Sequence, residues 1–132
     1  VIDGMGGGIG GQITAQLRRE LPAGADITAL GTNAAATAAM LKAGADRGAT
    51  GENAIIFSAQ FADVIVGPLG IIIPNAMLGE ISPAIAAAVI AAPAPKMLLP
   101  VPQPHIELIG IELKPLSALM REVAEKIKLT LA

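Results

Sequence analysis

Apolar positions recurring every fourth residue mark the first readable helix. Ile9, Ile13, Leu17 and Leu21 share one face, and Pro22 closes it. Ahead of it, Val1-Ile2-Asp3 reads as the tail of a buried strand that runs straight into Gly4-Met5-Gly6-Gly7-Gly8-Ile9-Gly10-Gly11. Residues 27–30 predict a second short strand. Gly31-Thr32-Asn33 then forms a loop whose Asn33 can cap the helix over residues 34–43, which Gly44 ends. That helix is nearly all alanine. It forms readily but buries little area per residue, which suits close packing of backbones.

Residues 47–50 predict a short edge strand, with Thr50 as cap of a helix running to about Ala62. Asp63-Val64-Ile65-Val66 is a buried strand that ends in Gly67-Pro68-Leu69-Gly70. Residues 71–81 show no clear period, and Asn75 and Glu80 stand out there as polar positions in an apolar run. Ser82-Pro83 starts a helix over residues 84–92, with Ser as cap and Pro at the first helical position. This helix is apolar all round, so it is expected to be buried on every side or covered by another subunit. Residues 97–101 and 106–111 predict two strands joined by Pro102-Gln103-Pro104, prolines that suit a sheet edge. The last helix, residues 116–131, carries Leu116, Leu119, Met120, Val123 and Ile127 on one face.

Strands that alternate with helices imply an α/β fold: a three-layer, Rossmann-like domain over residues 1–132 with a mostly parallel sheet. Right-handed crossovers favour a strand order of about 3-2-1-4-5, with an antiparallel strand at the far edge. The first strand then sits where the order reverses, and the loops at residues 4–11 and 67–70 flank the crevice in which such folds bind ligands. No internal repeat or linker interrupts the chain.

The 132 residues suffice for one domain with a real core. Apolar residues make up 53% and charged ones 15%, a balance that favours a homo-oligomer hiding part of its surface. A net charge of -2 and aromatics at 2% argue against a nucleic-acid partner, which needs clustered Lys and Arg and rings for stacking. Mean hydropathy is +0.64. Yet the uncharged runs over residues 64–79 and 81–95 are each shorter than the ~20 residues of a membrane span and are broken by Pro or Gly. No membrane partner is expected. The chain opens on Val1 rather than Met, so a few residues upstream are expected to be missing. With no signal-peptide pattern, the cytoplasm is the expected location. The absence of cysteine excludes disulfides, thiol catalysis and zinc–thiolate sites, and no metal-ligand spacing appears.

Five glycines among residues 4–10 are the strongest chemical signal. They let a ligand approach the main chain, and the following helix start offers free N–H groups and a positive dipole end to a phosphate. Gly4, Gly6, Gly7, Gly8, Ile9 and Gly10 are therefore candidate binding residues. Gly4, Gly8 and Gly10 meet the G-x-x-x-G-x-G spacing and so resemble the short-chain dehydrogenase fingerprint. The chain has no Tyr, so that family's catalytic tyrosine is missing and hydride transfer by its route is excluded. A Walker loop is excluded by the lack of Gly-Lys-Ser/Thr.

The end of the second strand has no acid to hold a ribose, as NAD binding would require. Thr32 and Asn33 offer donors to a 2′-phosphate there, which favours NADP over NAD modestly, or they only cap the helix. Glu52 and Asn53 open the next helix, where Glu52 is a candidate for a ribose hydroxyl. Gly67, Pro68 and Gly70 complete the candidate binding set. Asp3, Glu52 and Glu80 are the carboxylates placed for catalysis, although Asp3 is better explained as an acceptor for loop amides. His105, between Pro104 and Ile106, reads as a surface residue.

The chain resembles the bacterial family catalogued as domain of unknown function 3842. The resemblance rests on residues 1–10, Ala29-Leu-Gly-Thr-Asn33, residues 40–46 and 48–55, Val66-Gly-Pro68 and Met77-Leu-Gly-Glu-Ile81. It implies small cytoplasmic proteins with a Rossmann-like fold and supplies no activity. The reading from the residues is a protein that binds a nucleotide or other phosphate-bearing ligand, with NAD(P) among the candidates. A structural homo-oligomer without catalysis, and an enzyme using one of the carboxylates as base, are the alternatives.

Overall fold

Short strands and helices alternate along the whole chain in the computed structural model, which describes residues 1–112 and 114–131. In order they are β1 (Ile2–Asp3), α1 (Gly8–Glu20), β2 (Thr28–Gly31), α2 (Ala34–Lys42), β3 (Arg47–Thr50) and α3 (Glu52–Ala59). There follow β4 (Ile65–Pro68), a 3₁₀ turn (Leu69–Ile72), α4 (Pro83–Ala91), β5 (Lys96–Leu99) and α5 (Leu116–Leu131). Every ladder among the described residues is parallel. β1 pairs with β2, Ile2 opposite Leu30, β2 pairs with β3, and β4 pairs with β5, Ile65 opposite Lys96.

The strands form two sheets, β1-β2-β3 and β4-β5, in place of the single 3-2-1-4-5 sheet expected. β4 still packs against β1: a Cβ built on Gly67 would fall 2.5 Å from the Ile2 carbonyl oxygen. β1 offers only two residues and Pro68 has no N–H, so few groups can bond across this seam. Helices cover both faces. Ile13, Leu17, Val66, Leu99, Val123 and Ile127 pack α1 and α5 on one side, where α2 joins them through Ala36 and Met40. Ile2, Ile55, Ile65, Ile81, Ile85 and Val89 pack α3 and α4 on the other.

Asn33 and Ser82 cap their helices as expected, accepting from Ala36 N at 2.9 Å and Ile85 N at 3.2 Å. The alanine-rich α2 lets α1 come close, for a Cβ on Gly7 would lie 2.7 Å from Ala36 Cα. Thr50 does not cap α3. Its hydroxyl bonds Thr37 Oγ1 at 2.7 Å, Gly51 takes the cap position at φ 103°, and the helix ends at Ala59.

No strand forms over residues 106–111. Only an isolated antiparallel bridge joins Gln103 and Ile106, and Ile109 is 90% exposed. Pro100 stops β5 at Leu99, and Pro102 and Pro104 remove two donors that a further strand would need. The antiparallel edge is therefore absent among the described residues. α4 buries Ile85, Ala86 and Val89 but leaves Ile90 exposed, so it is covered on one side only. None of the described helices is long and apolar enough to cross a membrane.

Candidate functional site

β1 ends in Asp3, and the chain enters the glycine loop at once. Gly7 sits in the left-handed region at φ 72° and starts α1 without a side chain to cap it. Asp3 supplies the missing acceptor: Gly10 N–H donates to its Oδ2 at 2.7 Å. The carboxyl is buried, and burial raises its pKa above the usual 3.8. The amides of Gly10 and Gly4 pull it back, and the nearby Glu80 charge pushes it up. Part of the positive end of α1 is thus met from inside the protein.

The loop glycines divide by role. Gly10 touches β1 and α2, since a Cβ there would lie 2.7 Å from Asp3 Cβ and 2.8 Å from Met40 Sδ. Gly4 is roofed by Met77 Sδ and Glu80. Gly6 and Gly8 are exposed, with nothing within 4 Å of where a Cβ would stand. The N–H groups of Gly8 and Ile9 open the helix and have no acceptor within it. Among the described residues, neither these two nor Gly6 N–H is bonded.

Glu80 is the centre of the second half of the site. Its Oε1 accepts from Met5 N at 2.9 Å, Thr32 Oγ1 at 2.5 Å and Asn33 Nδ2 at 2.8 Å. Asn33 Nδ2 also donates to the Met5 carbonyl at 2.9 Å. Three separate segments are knotted here: the glycine loop, the end of β2, and a strap over residues 73–81. The strap holds three non-glycine residues at positive φ, Asn75, Met77 and Leu78, with Gly79 next to them. The Thr32 hydroxyl, then the Met5 amide, with a smaller share from Asn33, hold the Glu80 carboxyl below its usual 4.5 against partial desolvation.

The remaining candidates lie farther off. Glu52 and Asn53 are exposed at the start of α3, beyond the end of β3. Two strand spacings separate β3 from β1, about 10 Å. Gly67, Pro68 and Gly70 are buried, and Gly70 packs against Gln103 and Ala76. His105 lies exposed in a turn at φ 64°. Sequence reasoning singled out Glu80 as a polar residue in an apolar run. It missed the partners of Glu80, the Met5 amide, and the cover that Met77 lays on Gly4.

Chemically, three donors converge on one carboxylate oxygen beside three unbonded amides. The unbonded amides can hold an anion, and the free side of the carboxylate can accept from hydroxyl groups. It makes Glu80 a weak base, because hydrogen bonds to the charged form oppose proton uptake. No cluster of three metal-ligating side chains occurs among the described residues. A cavity of about 740 Å³ lies at the other end of the strands, lined by Val1, Thr28, Arg47, Phe57, Phe61 and Ile65. It is remote from the glycine loop, and ligands of open α/β sheets sit at the carboxyl ends of the strands.

A family model described as domain of unknown function (DUF3842) matches residues 1–132, the whole chain. No curated protein and no solved structure matches it.

Proposed function

Because the chain belongs to the DUF3842 family, whose description carries no ligand, we propose from the site itself that it binds a nucleotide or another phosphate-bearing small molecule over the Gly4–Gly10 loop. The observation that carries this reading is the open surface at Gly6 and Gly8, beside the unbonded N–H groups of Gly6, Gly8 and Ile9. Backbone donors at a helix start, with no side chain in front of them, are a ready place for a phosphate. NAD and NADP are among the ligands that such a loop can hold. A nucleotide ligand also fits the cytoplasmic location expected from the sequence.

Gly8→Val tests the reading. Position 8 is the first residue of α1 and faces open space, so valine adds no clash and leaves the melting temperature near that of the parent. Its branched side chain stands over the loop and blocks close approach. Calorimetric titration with adenosine diphosphate should show binding weakened by about thirtyfold, a loss of about 2 kcal/mol. If the variant binds as tightly as the parent, the loop is not the site.

Self-association is a second reading, favoured by a different observation. Phe57 is 59% exposed and Phe61 70%, with ring centroids 5.2 Å apart on the rim of the large cavity. Ile90 is exposed on α4, which packs beside α3. Light scattering at micromolar concentration should report a mass above the 13.2 kDa of one chain, and Phe61→Asp should lower it. A monomer for the parent protein would remove this reading.

A further inference from the structure

Dinucleotide-binding sheets hold the ribose with an acid at the end of the second strand. β2 of this chain runs into Gly31-Thr32-Asn33, which has none. The fold brings one from a distance. The strap lays Glu80 on Thr32, 48 positions earlier in the chain, and on Asn33 beside it. All three donors reach the same oxygen, Oε1. Oε2 has no donor among the described residues, and it is not fully buried, so solvent reaches it.

We infer that Glu80 is the specificity-determining residue of the phosphate site proposed above: its Oε2 accepts from a ribose with free hydroxyls and turns away a ribose that carries a 2′-phosphate. The inference rests on that reading of the loop. Met5, whose amide holds Oε1, directly precedes Gly6, so a ribose joined to a phosphate on the Gly6, Gly8 and Ile9 amides comes next to Glu80. Sugar hydroxyls donate to a carboxylate in charge-assisted bonds. A phosphate in the same place meets a like charge. No Lys or Arg lies in residues 1–11, 28–34 or 71–81 to offset it. Thr32 and Asn33, the donors that would favour a 2′-phosphate, are already committed to Oε1. The modest preference for NADP expected from the β2 end alone is thereby reversed.

The test is calorimetric titration of the protein with inorganic pyrophosphate, adenosine diphosphate, and its 2′-deoxy and 2′-phosphorylated derivatives, repeated on Glu80→Gln. The parent protein should prefer adenosine diphosphate over both derivatives by about tenfold or more. In Glu80→Gln, whose amide oxygen can still accept on the inner side, the preference over the 2′-phosphorylated compound should fall to about threefold or less. If the parent binds pyrophosphate but takes the 2′-phosphorylated compound as tightly as adenosine diphosphate, the role of Glu80 is overturned and the phosphate site stands. If the parent binds neither pyrophosphate nor any nucleotide, the phosphate reading falls and this inference with it. Should Glu80→Gln fail to fold, the ratios measured on the parent protein decide alone.

Discussion

Gly31→Ala should destabilise the protein by about 3 kcal/mol, at the upper end of what overpacking a core costs. Gly31 closes β2 and is buried under the first turn of α2. An added Cβ would press on the Thr37 hydroxyl and lie 2.6 Å from Thr37 N and 2.8 Å from Asn33 O. Two of these are backbone atoms already engaged with each other, for Thr37 N donates to Asn33 O at 3.2 Å. The helix start cannot retreat without disturbing the Asn33 cap and its bond to Glu80. Urea unfolding should show a lower midpoint at an unchanged slope. Gly24→Ala, at an exposed position with nothing within 4 Å, is the control and should stay within about 0.5 kcal/mol of the parent. A loss below about 1 kcal/mol for Gly31→Ala would mean that α2 slides over β2 freely.

Glu80→Ala should cost about 2 kcal/mol at pH 7. It leaves the Met5 amide, the Thr32 hydroxyl and the Asn33 amide without their common acceptor, and water at this half-exposed site replaces part of what is lost. The pH dependence gives the claim a sign. The folded protein holds the Glu80 carboxyl below its unfolded value of 4.5, mainly through the Thr32 hydroxyl. Between those two values the unfolded chain binds more protons, so stability rises with pH across the window. The contribution is therefore present above pH 4.5 and is lost as pH falls through the lowered folded value. Asp3 works in the opposite sense. Burial raises its carboxyl above 3.8, so its ionisation costs stability at neutral pH, and that cost disappears as acid protonates it. The difference in unfolding free energy between parent and Glu80→Ala should accordingly shrink below pH 4.5. A difference that holds constant from neutral pH to pH 3 would assign the stabilisation to packing of the strap instead of to charge.

Much of the architecture could be read from one-dimensional pattern. The four-residue period through Leu17, the Asn33 and Ser82 caps and the apolar run at Ile65 each act within a few residues. Their elements appear close to where the pattern puts them, with β4 running two residues later than expected, over Ile65–Pro68. Errors arose where a local signal had two uses. Thr50 has the hydroxyl of a cap, but as the last residue of β3 it meets Thr37 across the fold. Residues 106–111 have the apolar content of a strand, but a strand needs a neighbour, and the prolines before them break the approach to one.

By itself the sequence determined that this is an α/β chain with a glycine loop at the end of its first strand, because strand and helix periods, caps and glycine freedom are all short-range. It also ruled out thiol chemistry and a dehydrogenase tyrosine, which composition alone decides. Only the tertiary structure decided how the five glycines divide. Gly7 and Gly10 serve packing against α2 and β1, and Gly6 and Gly8 stay open. It alone decided that the sheet parts between β1 and β4. And it alone placed Glu80 on Thr32 and Asn33. The backbone at Met77 and Leu78 takes left-handed turns that such residues rarely adopt. Nothing in their local sequence demands those turns. The bonds of Glu80 to the loop and to the end of β2, together with Ile81 buried in the core, hold the strap there. Contacts between residues so far apart in the chain have no periodic trace, and they decide which chemistry the loop presents.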